Sequence, residues 1–98
     1  MDKKEFKDKY FTNNFYWVNE QNYKKLQEIG LETGCLLHTG KKDIIKWHEG
    51  FGNLGFRTYT EYKGITRFQI EGFLCRNEKA TDYNEMLKNY NKLYEIGV

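Results

Sequence analysis

The stretch LGFRTYTEYKGITRFQI, residues 54–70, restricts the fold more than any other part of the chain. Side chains alternate across a strand, so a slip of one residue in register carries a whole apolar set to the other face. Tyr62-Lys63-Gly64 fits a three-residue hairpin loop, a type I turn followed by glycine in the left-handed conformation. That loop pairs Glu61 with Ile65, Tyr59 with Arg67, Arg57 with Gln69, Thr58 with Phe68 and Phe56 with Ile70. The apolar pattern selects the same register without reference to the turn. Leu54, Phe56, Phe68 and Ile70 fall on one face, and Arg57, Tyr59, Arg67 and Gln69 fall on the other.

The remaining elements follow from periodicity and capping. Phe15 and Trp17 alternate with Tyr16 and Val18, which predicts a strand. Asn19 is a suitable N-cap, with Val18 and Tyr23 placed to staple the entry of a helix over 20–33. Tyr23, Leu26, Ile29 and Gly30 share one face of that helix, and Gly34 stops it. CLLHT and IIKWH, around a turn at Gly40-Lys41-Lys42-Asp43, predict a hairpin over residues 35–48. EGFGNLG is a glycine-rich connection, and EGFLCRN extends the second hairpin or leaves it as a loop. Thr81 is a suitable N-cap for a last helix with Asp82 in its first turn. Its stripe runs through Tyr83, Met86, Leu87, Tyr90, Leu93 and Tyr94 to Ile96, where Gly97 ends it. Residues 1–9, mostly charged, predict a frayed or short helical lead-in. The order β-α-β-β-β-β-α predicts one α+β domain over residues 1–98. In it an antiparallel sheet of four to five strands carries two helices packed on one face.

Composition limits what such a domain can do. Ninety-eight residues make one small core and leave no room for a separate cofactor domain. Eight Tyr, seven Phe and two Trp supply much of the apolar material, so the core must be built largely from rings. Lys outnumbers Arg thirteen to three, as AT-rich codon usage favours, and a net charge of +2 is too small by itself to mark a nucleic-acid footprint. The opening MDKKEFKDKY lacks the apolar segment of a secretory leader, and no apolar run is long enough to span a bilayer. A cytoplasmic protein is expected, with Cys35 and Cys75 as reduced, buried thiols.

Several constellations bear on function. Arg57 and Arg67 lie diagonally across one strand pair, beside Tyr59 and Gln69. A guanidinium fork suits phosphate and carboxylate, so this face is a candidate ligand site, with Lys63 and Trp47 nearby in sequence. The plainer reading is a solvated face on which Arg57 or Arg67 pairs with Glu61 or Glu71. GFGNLG, Gly50 to Gly55, matches G-x-G-x-x-G, but strands flank it where a dinucleotide site needs a following helix. Cys35, His38, His48 and Cys75 have no recognised zinc spacing, so no metal is expected. The chain has no serine, and its cysteines, histidines and carboxylates form no arrangement that points to catalysis. No enzymatic activity and no cofactor are expected. Aromatic residues beside basic ones on a sheet also suit base stacking, which keeps a nucleic-acid-binding module open as the alternative.

NYKKLQEIGLETGC, IIKW and NLGFRTY resemble segments of small accessory, early-region proteins of phages and prophages from low-GC Gram-positive bacteria. The resemblance implies a setting, with no catalytic residues to carry over. Small proteins of that kind act stoichiometrically, by binding a host protein or by sequestering a defence signal. The expectation is therefore a non-enzymatic binding protein that takes up an anionic, nucleotide-like molecule or blocks a host protein. Homo-oligomerisation would help it enclose such a ligand.

Overall fold

A computed structural model describes residues 1–46, 54–61, 64–72 and 79–95 of the chain. Strands β3 (Leu54–Thr60) and β4 (Thr66–Gly72) form the central hairpin in the register that loop and alternation select. Phe56 lies opposite Ile70, Arg57 opposite Gln69, Thr58 opposite Phe68 and Tyr59 opposite Arg67. The Glu61 N–H donates to the Ile65 carbonyl at 2.7 Å, and Gly64 closes the turn at φ +79°. Lys63 and Tyr62, the other two residues of that loop, lie outside the described residues.

Strand β1 (Phe15–Val18) joins β3 antiparallel, and the two-residue strand β2 (Leu36–Leu37) joins β4 parallel, giving the order β1-β3-β4-β2. Among the described residues the sheet is thus four-stranded and mixed, which corrects the expectation of an antiparallel one. The cause is helix α2 (Tyr23–Glu32), which carries the chain from one edge to the other, so β2 runs in the same direction as β1. A chain that leaves β1 and re-enters the sheet in the same direction must first return along it, and that return is made on the core face by the 10 residues of α2. Gly30 lets it lie close: a Cβ there would stand 3.4 Å from the Phe56 ring and 3.6 Å from that of Phe68.

Both ends of α2 are made as the sequence indicates, with one shift. The Asn19 side chain accepts from the N–H groups of Gln21 and Asn22, but the regular helix opens only at Tyr23, one turn after the expected start. At the other end the Cys35 N–H donates to the Gly30 carbonyl and the Gly34 N–H to that of Leu31, with Gly34 at φ +99°. This pair of bonds is a Schellman motif.

Further expectations are refined or corrected. Of the two readings of residues 1–9, the short helix holds and the frayed end does not. Helix α1 (Lys3–Tyr10), capped by the Asp2 carboxylate on the Glu5 N–H, sends Phe6 and Tyr10 into the core, so among the described residues three α-helices rather than two build the domain. Asp82, not Thr81, caps the last helix, α3 (Tyr83–Tyr90), by accepting from the Glu85 N–H at 3.1 Å. A π-helical turn, Asn91–Glu95, continues it, and Ile96 with Gly97 lies outside the described residues.

The hairpin expected over residues 35–48 begins and is then diverted. Leu37 donates to Lys41 and Gly40 to Leu37, with Gly40 at φ +87°, the same three-residue turn that Glu61–Ile65 makes. Beyond it, residues 41–46 form no strand. The buried Gln27 amide takes the place of a neighbouring strand, accepting from Ile45 N–H at 2.7 Å and donating to Ile45 O at 3.1 Å.

The core lies between the sheet and the helices. Phe56 and Phe68 stack at 5.2 Å, Phe11 meets Phe56 edge-on at 6.0 Å, and Phe6 and Tyr10 extend the cluster to Met86 and Tyr90. Tyr16 is fully buried, its hydroxyl donating to the Tyr10 carbonyl at 2.7 Å.

Replacing Gln27 with Leu should cost about 2 kcal/mol, because the Ile45 N–H and carbonyl lose partners in a part-buried site. Urea unfolding measures the loss, and hydrogen exchange should show the Ile45 amide opening first. Alkali provides a second check on the core. Burial pushes the Cys35 thiol above its ordinary 9.0 and the Tyr16 phenol well above 10.0. Above those values the unfolded chain releases protons that the folded chain holds, so unfolding free energy should fall as pH rises past about 9. Below that pH these two groups give no slope.

Candidate anion-binding face

The face of the sheet turned away from the core is set by the same register. Arg57 and Gln69, and Tyr59 and Arg67, are directly opposed across β3 and β4. Strand β1 adds Phe15 opposite Arg57 and Trp17 opposite Gly55. The structure therefore brings together four of the expected site residues, Arg57, Tyr59, Arg67 and Gln69. Lys63 and Trp47 lie outside the described residues, as do His48 and Cys75. Trp17, 45% exposed and packed edge-on to Phe15 at 5.0 Å, is a member of the face that alternation had put in a strand without saying which strand it would join.

The two arginines differ. Arg67 is mostly buried and committed to the fold, with its Nε 2.8 Å from Glu61 Oε2 and its Nη1 donating to the His38 carbonyl at 3.2 Å. The Nε–H is not aimed at the carboxylate oxygen, so that contact is coulombic more than directional. A Cβ at Gly40 would come within 3.1 Å of Arg67 Nη1, so the glycine both makes its turn and admits the guanidinium. Arg67 thus ties the 37–41 turn to the central hairpin. It is the pairing of Arg67 with Glu61 that the plainer reading of this face anticipates.

Arg57 has no such engagement: it makes no hydrogen bond or ion pair with the described residues. It lies beside a cleft of about 270 Å³ at the start of β1, where Lys79 also lies. The walls of this cleft are fixed. Asn14 accepts from Thr12 N–H, and its amide donates to Lys9 O at 2.9 Å and Thr81 Oγ1 at 3.0 Å. Its backbone exchanges bonds with Thr58, and the Thr81 N–H donates to Phe15 O at 2.7 Å. Sequence reasoning missed Lys79 because its segment is joined to β1 by the Thr81–Phe15 bond, a contact between residues far apart in the chain.

Other chemistry finds less support here. Cys35 is a free, buried thiol whose pKa is raised by burial, partly offset by the Thr33 hydroxyl and Lys7, so it is a poor nucleophile. Among the described residues no three His, Cys, Asp or Glu side chains gather where they would hold a metal ion. Leu54 and Gly55, the last two residues of that motif, open strand β3 and not the helix that a dinucleotide fingerprint needs. No helix among the described residues is long and apolar enough to cross a membrane.

Arg67→Ala should lower the unfolding free energy by about 1–2 kcal/mol, since it strands a partly buried carboxylate and a carbonyl. Arg57→Ala should stay within about 0.5 kcal/mol of the parent. Urea titrations of the two variants side by side decide whether the structural and the available arginine have been told apart. In comparisons with known proteins, no family model, no curated protein and no solved structure matches the chain.

Proposed function

We propose that this chain is a non-enzymatic binding protein that takes up an anionic, nucleotide-like ligand on the outer face of its sheet. The observation that carries the reading is the guanidinium of Arg57, which pairs with none of the described residues and stands on β3 between an exposed indole and a second cation. A guanidinium without a carboxylate partner can give its planar fork to phosphate. Trp17, and Tyr59 on the same strand as Arg57, offer ring faces on which a base stacks. Gln69, opposite Arg57, supplies an amide for an edge contact. In the phage setting that the resemblance implies, such a protein sequesters a signal of the host's defence by stoichiometric binding. Trp17 is exposed on this face, so a second copy of the chain laid over it would enclose the ligand.

An exposed tryptophan beside an arginine also suits a single-stranded nucleic acid, and salt separates the two readings. A nucleotide present at 100-fold its Kd should stabilise the fold by about 2.7 kcal/mol, which for a domain of this size raises Tm by roughly 10–20 °C. Thermal shift across a nucleotide panel, with mass spectrometry of small molecules released from the purified protein, tests this directly. Arg57→Ala should abolish the shift while leaving the unliganded Tm unchanged. If no nucleotide shifts Tm and oligonucleotides bind with a steep salt dependence, the nucleic-acid reading replaces it.

A further inference from the structure

We infer that the cleft between Arg57 and Lys79 is a phosphoryl subsite, which grips the terminal phosphate of a phosphomonoester and leaves the rest of the ligand on the sheet. This deepens the proposed function and rests on it. The first ground is charge. Among the described residues two cations, Arg57 and Lys79, line the cleft, no carboxylate does, and neither cation has an ionic partner. A phosphomonoester carries about −1.5 to −2 at neutral pH, which matches two cations, whereas a phosphodiester or a carboxylate carries only about −1.

The second ground is hydrogen-bonding capacity. Asn14, Thr58 and Thr81 spend their polar groups on one another and on the backbone, so the wall holds its shape without a ligand. Among the described residues the polar groups left over are the Thr81 O–H and those of Arg57, Lys79 and Asn13, whose left-handed backbone, φ +55°, sets it at the rim. A preformed wall with free donors is the arrangement that binds an anion without an ordering cost.

Size is the third. At about 270 Å³ the cleft falls below the roughly 300–1,000 Å³ of pockets that enclose a whole drug-sized ligand. It admits a phosphate and the group next to it. The remainder must lie outside, where β1 places Trp17 diagonal to Arg57 on the same face.

The test is an NMR titration of the full chain, following backbone amides and the tryptophan indoles. The probes are ribose 5-phosphate, dimethyl phosphate and adenosine 5′-monophosphate. Ribose 5-phosphate should shift the amides of Asn13, Phe15, Arg57 and Thr81 saturably, and dimethyl phosphate should bind at least about tenfold more weakly. Lys79 is exposed, so Lys79→Met should fold normally and weaken ribose 5-phosphate about tenfold, with Lys79→Arg restoring it. Equal affinity for the monoester and the diester, or no effect of Lys79→Met, overturns the subsite. In that event the proposed function still stands if adenosine 5′-monophosphate shifts the Trp17 indole and Arg57→Ala removes the shift. Failure of all three probes overturns both.

Discussion

The stacking of Phe56 on Phe68, 5.2 Å between rings that are 24° from parallel, is the contact on which the rest of the molecule depends. The two residues are diagonal neighbours across the central hairpin, and they meet only in the register where Thr58 opposes Phe68. A slip of β4 by one residue would send Phe68 and Ile70 to the outer face and bring Arg67 and Gln69 into the core, where an unpaired guanidinium is prohibitive. Everything on the inner side is fitted to this pair. Phe11 meets Phe56 edge-on, and α2 lies close over both rings because Gly30 has no side chain. A small chain with few aliphatic residues closes its core with rings, and the rings fix the register.

The same register gives the two arginines a common face but not a common role. What separates them is their distance from carboxylates and carbonyls. Arg67 sits near the end of the hairpin, where Glu61 and the His38 carbonyl are both in reach, and it is consumed in holding two turns together. Arg57 sits mid-strand with Phe15 on one side and Gln69 on the other, neither of which can neutralise it. Identical chemistry on identical backbone becomes structural at one position and available at the other.

Much of this was legible in the residues. Gly64 and the apolar alternation gave the hairpin pairing residue by residue, and Gly34 gave the end of α2, because both are decided within a few neighbours. The direction of β2 was not legible. Leu36 and Leu37 are claimed by the far edge of β4, and residues 41–46 by the Gln27 amide, through contacts no local pattern encodes. Even so, Leu37–Lys41 repeats the loop of Glu61–Ile65, with glycine in the same place, and placing the turn at Gly40 rather than after it follows from that likeness. Helix α1 hides differently. Phe6 and Tyr10 are a four-residue pair, but the four lysines and two acids of the same helix mask the stripe until Tyr90 and Tyr94 give it something to pack against. At the candidate site, Arg57, Tyr59, Arg67 and Gln69 came from register alone. Trp17 and Lys79 needed the strand order.

The edges of the sheet narrow where a partner can approach. On the outer strand β1, the Phe15 carbonyl accepts from Thr81 and the Trp17 carbonyl from Asn22, so the acceptors that an added strand would use are already taken. At the opposite edge β2 is two residues long, and the turn at 37–41 folds back onto it at once. Strand addition is therefore disfavoured at both edges, and recognition is left to side chains. The largest exposed ring on the described strands, Trp17, lies diagonal to Arg57, which pairs with no described residue. Apolar area and a cation thus coincide on the outer face while the edges are closed, which directs binding to a ligand or surface that offers a ring and an anion together.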